Sequence, residues 1–91
     1  MAIIVCCDFS IKNSPNHEKF LYSIQKHEGC CQIAASSWVI VTPDTPKQVR
    51  DTLSQYLQPE DRLFVANLEK GSGSWEHVLE SSVILQNLIK K

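Results

Sequence analysis

Six apolar residues in succession, Ala2-Ile-Ile-Val-Cys-Cys7, lead into a carboxylate, Asp8. A helix on a core shows apolar residues every three or four positions, and a strand with one wet face alternates. An unbroken run rich in Ile and Val therefore reads as a strand buried on both faces. Trp38-Val-Ile-Val-Thr42 is a second run apolar on consecutive positions. Two such strands demand cover above and below the sheet, and 91 residues supply one core to do it.

The intervening segments set the order of elements. Phe9 to Asn16 carries Ser, Lys, Asn and Pro, the chemistry of a loop. Ser14-Pro15 is an N-cap followed by proline at the first helical position; Phe20, Leu21 and Ile24 form an apolar face, and Gly29 offers a stop, so a first helix is expected over 15–28. Cys30 to Ala35 and Trp38 to Thr42 are β-prone runs joined by Ser36-Ser37. Thr45-Pro46-Lys47-Gln48 is a capping box, after which Val49, Leu53, Tyr56 and Leu57 recur at helical spacing until near Pro59. Arg62 to Leu68 reads as a fourth strand.

That order, βαββαβ, is the split βαβ arrangement of an α+β, ferredoxin-like sandwich over 1–70. Right-handed crossovers place its antiparallel strands in the order 4-1-3-2, with both helices on one face. Gly71-Ser-Gly-Ser74 reads as a connector at 71–74, and Trp75, Val78, Leu79, Leu85, Leu88 and Ile89 predict an appended C-terminal helix over 75–91. The sheet face away from the two helices must then be covered by this helix, folding across its own domain, or by a partner subunit, a homodimer being the commonest assembly.

Charge and cysteine usage narrow the classes. Nine Lys+Arg against ten Asp+Glu, with no run of three basic residues, count against a protein that coats nucleic acid. The cysteines come as adjacent pairs, Cys6-Cys7 and Cys30-Cys31; neighbours on a strand point to opposite faces, so neither pair chelates one metal readily. They read as small buried hydrophobes in a reducing, cytoplasmic setting. The six-residue apolar stretch is too short for a signal peptide or a membrane span, and no small-molecule ligand is indicated.

In this topology the end of strand one lies beside the start of strand four and near the turn between strands two and three. Asp8 is thus expected close to Asp61, Arg62, Ser36 and Ser37. Two readings stand side by side. Mg²⁺ takes hard oxygen ligands, often one or two carboxylates with waters and phosphate oxygens, and a metal there polarises a phosphodiester. Alternatively, Asp8 accepts backbone N–H bonds in an Asx-turn and pairs with Arg62. His17, His27 and His77 are scattered and read as surface or helix-end residues, Ser72 and Ser74 match no nucleophile or phosphate motif, and Trp38 and Trp75 read as core.

Several segments together resemble a family. Cys7-Asp8 stands where that family has Tyr-Asp closing its first strand, followed by Asn13-Ser14-Pro15 and by Ser36-Ser37-Trp38-Val39-Ile40-Val41-Thr42. Val49-Arg50-Asp51-Thr52-Leu53 and Glu60-Asp61-Arg62-Leu63-Phe64-Val65 complete the likeness. Over about residues 1–75 the chain resembles the small ferredoxin-like proteins related to the CRISPR-associated adaptation nuclease, the virulence-associated protein D toxins and SinR-like proteins. The resemblance implies a homodimer whose strand-one aspartates, here Asp8, face each other, bind Mg²⁺ and in active members cleave RNA or DNA; in the adaptation complex the fold is a largely non-catalytic bridge. Here Cys7 replaces the tyrosine, Cys30, Cys31 and Gln32 replace the usual basic residues, and the C-terminal segment reads as helix rather than exchanged strand. The expected function is a metal-dependent endonuclease, the alternative a non-catalytic homodimeric interaction or nucleic-acid-bridging module. A regulatory domain binding a small molecule at the dimer seam is a third class, with no residues that specify it.

Overall fold

The computed structural model describes residues 2–10 and 14–68, together with Ser74, Ile84 and Leu88. The elements run β1 (Ala2–Asp8), α1 (Pro15–Gln25), β2 (Gly29–Ala34), β3 (Ser37–Val41), α2 (Pro46–Ser54) and β4 (Arg62–Asn67). The four strands form one open sheet in the order β2-β3-β1-β4, which counted from the other edge is β4-β1-β3-β2. Every neighbouring pair is antiparallel, so β1 and β2 share one direction and β3 and β4 the other. The molecule is a small α+β domain with two helices among its described residues.

Both helices start where their caps dictate. The Ser14 hydroxyl accepts from the His17 N–H at 3.1 Å, with Pro15 at the first helical position. At α2 the capping box is complete: Gln48 N–H donates to the Thr45 hydroxyl at 3.2 Å and Thr45 N–H to the Gln48 carboxamide at 2.8 Å. Their ends fall earlier than the sequence suggests. α1 stops at Gln25, because Ile24 O is taken by the His27 N–H at 3.4 Å and the His27 Nδ1 at 2.9 Å. Gly29 is consequently not a helix stop but the first residue of β2. α2 ends at Ser54, where the Tyr56 and Leu57 N–H groups tighten onto Leu53 and Ser54 carbonyls, and Gln58, preceding Pro59, is kept out of helical backbone.

Register sorts the apolar strands into two sets. Ile3 and Val5 of β1 and Trp38 and Ile40 of β3 face the helices and pack with Phe20, Ile24, Val49 and Leu53. Ala2, Cys31 and Val39 face the other way and pack with Leu88, with Ile33, Val41 and Leu68 alongside. Ile84 and Leu88 are helical; the rest of the helix expected over 75–91, and 71–73 of the connector, lie outside the described residues. The requirement for cover on both faces is thus met in part by Leu88. It is not met over β4, where Phe64, on the face away from the helices, is 62% exposed.

Candidate functional site

The open part of the outer face is built by the pairing of β1 with β4. Asp8 stands opposite Arg62 and Cys6 opposite Phe64. Residues two apart on a strand share a face, so all four lie on the side away from α1 and α2. Arg62 Nη1 is 3.7 Å from Asp8 Oδ2, with 83% of the arginine side chain and 71% of the aspartate side chain exposed. That separation is an ion pair rather than a hydrogen bond, and pairs so exposed contribute at most about 1 kcal/mol. The two side chains, with Cys6, Cys7, Leu63 and Phe64, line a shallow cleft of about 230 Å³.

The structure brings together only part of the expected constellation. Asp8 and Arg62 meet as expected. Asp61 does not join them, because its carboxylate is committed to its own loops: Oδ1 accepts from the Ser10 N–H at 2.8 Å and the Ser10 hydroxyl at 2.9 Å, and Oδ2 accepts from the Gln58 N–H at 2.8 Å. These bonds, that of Gln58 foremost and then the backbone bond of Ser10, hold the Asp61 carboxyl below its ordinary pKa, with His17 adding a favourable charge. Ser36 approaches β1 through its carbonyl, which accepts from the Cys7 N–H at 3.0 Å, and Ser37 pairs with Cys6 in the ladder. Of the structural reading of Asp8, the pairing with Arg62 is present, while the Ser10 N–H that an Asx-turn at Asp8 would use donates to Asp61 instead.

Among the described residues no three His, Cys, Asp or Glu side chains are grouped to hold a metal ion. Asp8 brings one carboxylate, and the guanidinium beside it opposes a second positive charge. Mg²⁺ sites commonly take one or two carboxylates with waters and phosphate oxygens, and Asp8 is the exposed carboxylate at this cleft.

Sequence reasoning missed Phe64 as a surface residue. The signal was parity: it shares a face with Arg62, and on an edge strand a side that carries an exposed arginine exposes its neighbour too. Among the described residues no helix is long and apolar enough to cross a membrane. No protein-family model matches the chain, and no curated protein is similar to it.

Proposed function

We propose that this chain is a ferredoxin-like interaction module that pairs with a second copy of itself through the open part of its sheet face. The observation that carries the reading is Phe64, a large apolar side chain exposed on a sheet face and flanked there by unlike charges. A twofold contact repeats each interaction, residue i on j and j on i. Asp8 and Arg62 lie side by side, so one copy's carboxylate and guanidinium complement those of a second copy rotated onto it. Burying Phe64 on each side adds roughly 1.5–3 kcal/mol per ring, within the roughly 800 Å² per partner that stable association needs. The four cysteines carry thiols rather than disulfides, which suits the reducing cytosol where we place the protein.

A second reading, metal-dependent cleavage of RNA or DNA, is favoured by the exposure of Asp8 at the end of β1. Pairing through this face doubles the carboxylates, and two Asp8 side chains with waters make a hard-oxygen set for Mg²⁺. The family resemblance at Cys7-Asp8 and Ser36-Ser37-Trp38 supports the same lead.

Sedimentation of the wild type and of Phe64→Glu tests the module: a dimer at micromolar concentration that becomes monomeric in the variant is expected, and a wild-type monomer overturns it. Cleavage of short RNA and DNA with Mg²⁺ or Mn²⁺ tests the second reading. Activity lost in Asp8→Asn with Tm unchanged supports it; trace cleavage equal in both proteins removes it.

A further inference from the structure

On the helix face, at the opposite end of β3 from the Ser36-Ser37 turn, a cavity of about 130 Å³ opens between the end of α1 and α2. We propose that it binds a small zwitterion with a branched apolar tail, an α-amino acid of the valine or leucine class.

The floor is Ile24, Ile40, Val49 and Leu53, all buried in the main core. An enclosed apolar cavity of about 150 Å³ takes up benzene, so an opening of about 130 Å³ over this floor is on the scale of a branched side chain of three or four carbons. The walls and mouth are polar, with Ser23, Lys26 and His27 from α1 and the turn after it, Asp44 from the loop before α2, and Thr52 from α2. Small-molecule sites combine these features, an apolar body with a few convergent polar groups that fix orientation.

The charges specify the ligand further. Lys26 and Asp44 line the same cavity, yet among the described residues neither has an ion-pair partner, so they do not neutralise each other. A cation and an anion lining one opening without pairing match a ligand carrying a carboxylate and an ammonium on one carbon. His27 adds a directional group: its Nδ1 lies 2.9 Å from Ile24 O, and a carbonyl only accepts, so Nδ1 carries the proton. In the neutral ring Nε2 is then an acceptor, suited to an ammonium. Asp44 is held in its loop by its own N–H, which donates to the Thr42 hydroxyl at 3.2 Å.

This site lies on the other side of the sheet from Phe64, so it stands or falls independently of self-association. The test is titration of the full chain with L-leucine and L-valine, followed by amide chemical shifts. Isovalerate lacks the ammonium, isoamylamine lacks the carboxylate, and glycine lacks the tail. One of the two amino acids is expected to move the amides of 23–27, 44 and 49–53, with a Kd on the order of 1 mM or tighter. The three truncated probes bind at least about tenfold more weakly, and Lys26→Gln and Asp44→Asn, at exposed positions, each weaken leucine binding by about tenfold without moving Tm. Absence of shifts with both amino acids at about 10 mM, equal binding of isovalerate, or leucine binding indifferent to both substitutions overturns the proposal.

Discussion

Asp61 Oδ1 accepts two hydrogen bonds from Ser10, one from its N–H at 2.8 Å and one from its hydroxyl at 2.9 Å, clamping the loop after β1 to the loop before β4. The clamp needs the ionised carboxylate, and the Asp61 pKa is lowered in the folded chain. A depressed carboxyl contributes stability above its unfolded pKa and loses it as pH falls through the folded value. Asp61→Ala is therefore expected to lower the urea midpoint near neutral pH and to narrow the gap to wild type as pH falls through and below the ordinary carboxylate range, as measured by paired denaturation curves.

Gly29 admits no side chain. A Cβ there meets Val41 Cβ at 2.8 Å, Val41 Cγ2 at 2.9 Å and Leu88 Cδ2 at 3.0 Å. The leucine tip can turn aside, but Val41 Cβ is fixed to the paired strand. Gly29→Ala is expected to cost about 1–3 kcal/mol by denaturant unfolding, and adding Leu88→Ala should not restore it.

Thr45 closes a complete capping box on α2. Thr45→Ala removes an acceptor from the first turn and is expected to cost about 1 kcal/mol, seen as a lower midpoint with unchanged slope.

Two phenylalanines predict opposite outcomes. Phe20 is fully buried and meets the Phe9 ring edge-on at 4.8 Å, so Phe20→Ala is expected to cost about 3–5 kcal/mol, much of the stability of a domain this size. Phe64 is exposed in the single chain, so Phe64→Ala should change the unfolding free energy of the monomer by less than about 0.5 kcal/mol while weakening self-association. Urea curves at high dilution, compared with sedimentation at high concentration, separate the two effects.

Most of the architecture was legible because its signals are local. The proline-led caps at Ser14 and Thr45 start both helices where the sequence places them, and the unbroken apolar runs of β1 and β3 become the two inner strands. What escaped was decided by competition between groups distant in type or position. The His27 ring takes a carbonyl that a longer α1 would have used, which turned Gly29 from a stop into a strand residue. Topology correctly brought Asp8 to Arg62 but cannot aim a carboxylate. Asp61 follows a tight turn at Gln58, and the donors of that turn and of Ser10 hold its carboxylate.

The irregularity in β2, where Gln32 pairs with Trp38 but Ala34 with Ser37, makes the two margins of the sheet unequal. A bulged margin is bent and out of step with an incoming strand, so β2 is a poor template for another chain. The β4 margin keeps a continuous ladder with β1. Irregular pairing thus disfavours strand addition at the β2 margin, a guard against edge-to-edge aggregation written into the backbone itself.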